Sequence, residues 1–95
     1  MSKARYPWWG YIKQILYRYP ECAEFEREAV EKAINRTKET NGGQERLDVI
    51  SLVFFQKTHK LAGAAMQIPC GYETAKRWQG QFIREVAKNI GLTKE

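Results

Sequence analysis

The sequence predicts an all-α domain of about five helices that ends in a helix-turn-helix. Three observations lead to this prediction. Apolar residues recur at three- and four-residue steps, Pro and Gly separate these runs, and the composition of 43% hydrophobic and 13% aromatic residues is typical of a folded protein. A chain of 95 residues has room for one hydrophobic core, so we expect residues 1–95 to form a single domain.

Two helices are predicted before the first strong breaker. The first covers about 7–19, because Pro7 suits a first helical turn and apolar residues follow at helical spacing. The second covers 21–40, and its apolar and small residues share one stripe: Phe25, Ala29, Val30, Ala33, Ile34 and Thr37. We assign 7–43 to an N-terminal helical hairpin.

A third helix is predicted over 44–56, after the breaker Asn41-Gly42-Gly43. Apolar residues are almost continuous here, as in a helix that is buried on most of its surface. A buried strand over 49–55 is the alternative, and the length and acidic start of the segment favour the helix.

The last two helices are predicted over 59–67 and 72–90. Thr58 is expected to cap the short helix, Pro69 to end it, and Gly91 to end the long one. We assign 44–90 to the helix-turn-helix part of the domain.

The helix-turn-helix prediction depends on small residues, a tight turn and a two-sided helix. Residues 62–65, Ala-Gly-Ala-Ala, allow a second helix to approach closely, and Ile-Pro-Cys-Gly at 68–71 forms the turn. The apolar residues of the long helix lie on one side, where we expect Trp78 and Phe82 to hold the fold. The other side is polar and mostly basic.

Residues near the start of such a second helix contact base edges, while nearby cations hold phosphates. The predicted DNA-contacting residues are Tyr72, Glu73, Thr74, Lys76, Arg77 and Gln79 on the long helix, with His59 and Lys60 before the short one. The alternative is that this polar side is only the solvated face of a helical bundle.

The positive charge lies outside the central part of the chain. Lys and Arg total 16 against 11 Asp and Glu, which gives a formal net charge of +5. Residues 1–20 hold four basic and no acidic groups, residues 57–95 hold seven against three, and residues 21–56 hold five against eight. This distribution favours a polyanionic partner, here double-stranded DNA.

Other classes of function have little support in the sequence. Cys22 and Cys70 are far apart and lack zinc-site spacing, so we expect reduced structural thiols in a cytoplasmic protein, without metal or cofactor. The Glu-rich run over 21–31 is interpreted as a solvated helix face. No paired carboxylates or activated nucleophile indicate an enzyme, and no apolar run or signal sequence indicates a membrane or export.

Trp8 and Trp9 stand beside the basic residues Lys3 and Arg5, an arrangement that suits contact with nucleic acid or a polymerase. Core and rim packing is the alternative. Because adjacent helical residues point about 100° apart, we expect Trp8 to be buried and Trp9 to be partly exposed.

The pattern AA-x-x-I-x-x-G-Y-x-T-A-K-R-W, from Ala64 to Trp78, resembles the helix-turn-helix of the promoter-binding C-terminal domain of sigma factors. It resembles small phage and prophage regulators of the ArpU/RinA type more closely, and the start RYPWWGYIKQILYRYP is similar to that of small prophage-encoded proteins. The resemblance implies a sigma-like fold and transcriptional regulation of phage genes. It departs at Gly71, an N-cap where such motifs usually carry Ser or Thr.

Two other functions are weighed against a DNA-binding regulator. One is a phage DNA-packaging subunit of the small-terminase type, which also uses a helix-turn-helix but works as a ring. The other is a protein-interaction module that docks a polymerase subunit. RNA polymerase and a second copy of the chain are accordingly further candidate partners.

Overall fold

The computed structural model describes residues 7–92, and all regular structure in this range is helical. The α-helices are α1 Trp9–Arg18, α2 Glu24–Lys38, α3 Gly43–Ile50, α4 Leu61–Gln67 and α5 Tyr72–Ile90. A π-helical turn, Ser51–Phe55, continues α3. The predicted all-α class with about five helices is confirmed for the described residues.

The central apolar segment is helical, so the alternative of a buried strand over 49–55 is wrong. Ile50 and Ser51 both have helical backbone angles, and α3 therefore passes directly into the π-helical turn. The backbone N–H of Gln56 donates to the carbonyl oxygen of Ser51 at 2.7 Å, the wider spacing of a π-helix. Ile50 and Phe54 from this segment are fully buried.

Helix α5 packs against every other α-helix, and its most extensive contact is with α2. Nδ2 of Asn89 donates to the carbonyl oxygen of Ala29 at 3.0 Å, and Nε of Arg36 lies 3.8 Å from a carboxylate oxygen of Glu85. The buried side of α5 comprises Ala75, Phe82, Ile83, Val86 and Ala87. Trp78 is half-buried, and so the predicted apolar side is confirmed with Trp78 at its edge.

The turn between α2 and α3 requires a very close approach of two backbone segments. A Cβ atom at Gly43 would overlap the carbonyl oxygen of Thr37, and the N–H of Gly43 donates to the carbonyl oxygen of Thr40 at 3.0 Å. Glycine at 43 is therefore a steric requirement. The predicted breaker is confirmed as the boundary between these helices.

The start of α2 differs from the prediction because Glu26 is buried rather than solvated. Its carboxylate accepts hydrogen bonds from the backbone N–H of Ala23 at 3.0 Å and from the hydroxyl of Tyr11 at 2.5 Å. These bonds set the first turn at Glu24 instead of Glu21. Adjacent residues on a helix face different directions, so the neighbour of the buried Glu26 faces solvent, and Phe25 is 57% exposed. The prediction that Phe25 lies on the buried apolar stripe is therefore wrong.

Trp8 is half-buried, not buried as predicted. It is the N-cap of α1, outside the helix proper, so the angular spacing of helical residues does not apply to it. Its ring stacks with that of Trp9, which is also half-buried, with the centroids 6.0 Å apart. Both rings pack against the core. Lys3 and Arg5 lie outside the described residues.

The predicted cap of α4 is wrong, although its end is confirmed. The helix begins at Leu61 with Lys60 as its N-cap, whereas Oγ1 of Thr58 lies 2.9 Å from Nδ1 of His59 and does not cap the helix. Ile68 has extended backbone angles, as expected for the residue before Pro69.

Replacing Tyr11 by Phe is expected to lower the free energy of unfolding by about 1 kcal/mol, because Glu26 loses one of its two hydrogen bonds. The hydrogen bond to Glu26 is the main reason that the pKa of Tyr11 is raised to about 12, with burial second. Because the folded pKa lies above the unfolded value, this stabilisation is complete below about pH 10 and is lost towards pH 12. Urea unfolding at several pH values measures it.

Tyr17→Phe is the matched control, because the Tyr17 hydroxyl has no hydrogen bond within residues 7–92. The two residues are also similarly exposed, Tyr17 by 39% and Tyr11 by 40%. We expect it to leave the free energy of unfolding within about 0.5 kcal/mol of the parent value. Equal effects of the two substitutions at pH 7 would contradict the account of Tyr11.

Candidate nucleic-acid interface

Helix α5 begins after a four-residue segment, 68–71, that joins it to α4. Gly71 is its N-cap, with φ of 77° and ψ of 147°, and no side chain caps the helix. This region of backbone space is open almost only to glycine. The departure from the Ser or Thr of similar motifs thus has a local reason, since either residue would be strained here.

The first turns of α5 present a polar, mostly cationic face to solvent. Tyr72 is 48% exposed, and Glu73, Lys76 and Arg77 are also exposed. A shallow depression of about 340 Å³, which we call the α5 groove, is lined by Glu73, Lys76, Arg77, Gly80 and Arg84. Three cations and one carboxylate border it, and this composition suits an anionic ligand.

A second depression, of about 530 Å³, lies between α1, the segment before α4 and the start of α5. We call it the α1–α5 groove, and it is lined by Lys13, Tyr17, Val53, Lys57, His59, Lys60, Leu61, Tyr72 and Gln79. Among residues 7–92, three lysines and no carboxylate border it. Its tyrosines and its histidine add hydrogen-bonding groups that can contact phosphate.

Seven of the eight predicted site residues line one of these two grooves. Glu73, Lys76 and Arg77 line the α5 groove. The α1–α5 groove brings together the other four: His59, Lys60, Tyr72 and Gln79. Thr74 is half-buried and lines neither groove, so the structure does not bring it to this surface with the others.

Sequence reasoning missed four residues that the fold brings to the same surface. Lys13 and Tyr17 are one turn apart on α1, far from α5 in the chain, and local spacing does not indicate that they meet it. Lys57 carried a usable signal, since it lies in the basic stretch Lys57-Thr58-His59-Lys60. Arg84 was also identifiable, because it lies two turns after Arg77 on the polar side of α5.

A third cavity, of about 110 Å³, lies where α5 meets α2 and α3, and its contacts are structural. The guanidinium of Arg46 lies 5.6 Å from the centre of the Trp78 ring, and its Nη1 donates to Oε1 of Gln81 at 2.9 Å. This cation–π contact accounts for one side of the environment of the half-buried Trp78. Trp78 thus borders the core and lines neither of the two basic grooves.

Within the described part of the chain, the remaining reactive groups are two separate cysteines. Cys22 and Cys70 are free and half-buried, and burial raises the pKa of each thiol, so both are protonated at neutral pH. Among residues 7–92, no three His, Cys, Asp or Glu side chains are grouped as metal ligands. None of the helices in that range combines the length and the apolar character needed to span a bilayer.

Comparison with other proteins adds no relative: no protein-family model, curated protein or solved structure matches the chain significantly.

Gly71→Ala is expected to lower the free energy of unfolding by about 1–3 kcal/mol, because alanine is strained at this positive φ. A Cβ atom there would meet nothing within 4 Å, so the cost comes from the backbone alone. Chemical denaturation measures the change.

Gly10→Ala is the matched control. Gly10 also has open space around its Cβ position, but it lies within α1 and lacks a positive φ, so alanine is expected to keep or increase stability. The account of Gly71 is wrong if the two variants unfold at the same denaturant concentration.

Proposed function

We propose that this chain is a DNA-binding protein that places the first half of α5 in the major groove of duplex DNA and acts as a transcriptional regulator. The observation that carries the proposal is the charge of the surface on which α5 begins. Within residues 7–92, six Lys or Arg side chains and a single carboxylate line the two grooves there, although the full sequence holds 16 basic and 11 acidic residues.

The arrangement of α4 and α5 suits this role. Helix α4 has seven residues and packs on α5, and its buried residues are the small Ala64 and Ala65. A helix-turn-helix has such a pair of helices, joined by a short turn that often contains Gly. In this chain the segment between α4 and α5 contains Gly71. Its second helix enters the major groove by its N-terminal residues, the part of α5 whose polar side is exposed.

Within this proposal the exposed residues divide by role. Lys76 and Arg77 are the candidates for contact with guanine or phosphate, and Tyr72 and Glu73 are those for hydrogen bonds to base edges. The resemblance of residues 64–78 to phage regulators and to sigma factors supports transcription as the process, with RNA polymerase as a further partner.

The double variant Lys76→Ala, Arg77→Ala is expected to bind duplex DNA more weakly, with a smaller salt dependence. Each lost phosphate contact lowers the slope of log affinity against log salt by about 0.9, and the loss of a base contact costs about 1–3 kcal/mol of discrimination. Binding sites selected from random duplexes supply the probe, and fluorescence anisotropy at several salt concentrations gives the affinities.

Lys32→Ala, Lys38→Ala is the matched control. Both lysines are exposed on α2 and line neither groove, so this variant loses the same charge from another surface. The proposal requires the α5 variant to lose more affinity and discrimination than the control, and equal losses contradict it. A parent protein that binds no duplex at low salt also contradicts it, and light scattering that finds a ring favours the packaging alternative.

A further inference from the structure

The α1–α5 groove contains three lysines from two parts of the fold: Lys13 on α1, and Lys57 and Lys60 in the segment before α4. We propose that this groove binds the sugar-phosphate backbone of duplex DNA next to the bases that α5 contacts, through Lys13, Lys57 and Lys60. The proposal rests on the proposed function and extends the DNA-contacting surface beyond the helix pair, to α1 and to the segment after the π-helical turn.

Lys13 is held in place by the core. Its neighbours Ile12, Ile15 and Leu16 are fully buried, and thus the backbone of α1 is fixed relative to α5. Tyr17, one turn later in the same groove, packs on Phe54 with the ring centroids 4.9 Å apart. Its ring is held there while 39% of the residue remains exposed, and a tyrosine hydroxyl is a suitable phosphate donor.

Lys57 has a backbone conformation that few residues of its type adopt. Its φ is 58°, in the left-handed region where Gly and Asn are favoured. The backbone around it is well defined, because the N–H groups of Thr58 and His59 both donate to the carbonyl oxygen of Leu52, at 3.1 and 3.2 Å. The backbone thus favours glycine at a position where the chain has a cation that lines the groove.

The chemistry of the groove fits a duplex backbone better than the other anionic polymers. Lysine binds phosphate as a point charge, and the cations that line the groove within residues 7–92 are all lysines. A single strand is bound largely by successive bases stacking on free aromatic faces. Of the two tyrosines that line the groove within residues 7–92, Tyr17 packs against Phe54, and only Tyr72, 48% exposed, offers such a face. Tyr72 borders the groove at the first turn of α5, which places it beside the predicted base contacts.

The test uses the full chain with Lys13→Ala, Lys57→Gly, and with Lys32→Ala, Lys38→Ala as the charge-matched control. Glycine at 57 removes the cation and adopts the positive φ without steric cost, so the melting temperature of this variant is expected to equal or exceed that of the parent chain. The probes are a labelled duplex carrying a selected site, an unrelated duplex of equal length, and a single strand, each studied at several salt concentrations.

We expect the groove variant to bind both duplexes about 10-fold more weakly near 0.1 M salt, with a salt slope smaller by about 2. The affinity of the variant for the two duplexes should fall by the same factor, because backbone contacts carry no sequence information.

The inference is overturned if the groove variant loses no more affinity than the control variant does. It is also overturned if affinity is lost only for the single strand or only for the selected site. If Lys76→Ala, Arg77→Ala still impairs binding in those cases, the proposed function stands. A parent chain that binds no duplex overturns both.

Discussion

Burial of one side of α5 is the constraint on which the rest of this structure depends. Because α5 contacts each of the other α-helices, its apolar side chains must face inward together, and Phe82, Ile83 and Val86 are almost fully buried as a result. Each such side chain contributes about 1.5–3 kcal/mol when buried. The polar side of the same helix then has only solvent or a partner to contact, so the packing of the core sets the direction of the candidate interface.

The candidate interface is built by elements that are distant in the chain. Helix α5 brings Lys76 and Arg77, α1 brings Lys13, and the segment after the π-helical turn brings Lys57. Two unusual backbone positions, Gly71 and Lys57, border this surface, each with a positive φ. Such positions often accompany functional sites. Here the first sets the direction in which α5 begins, and the second carries a cation that the fold itself does not require.

Local signals predicted most of the fold, whereas long-range contacts were beyond them. Pro69 and Gly91 mark helix ends by their own backbone chemistry, so these boundaries agree with the sequence prediction. Burial of Glu26 depends on the hydroxyl of Tyr11, fifteen positions away, and no local pattern indicates such a pair. The same reason explains the site: residues of α5 are identifiable from helical spacing, but the position of Lys13 beside them depends on how α1 packs.

The central claim is that the polar side of α5 and the adjacent α1–α5 groove form a single DNA-binding surface. An NMR titration tests this claim most directly. Amide resonances of the labelled chain are followed while a duplex with a selected site is added at low salt. The account predicts the largest shifts at Tyr72, Lys76 and Lys57, with little change on the outer face of α2 near Lys32. Absent shifts, or shifts centred on α2, would contradict it.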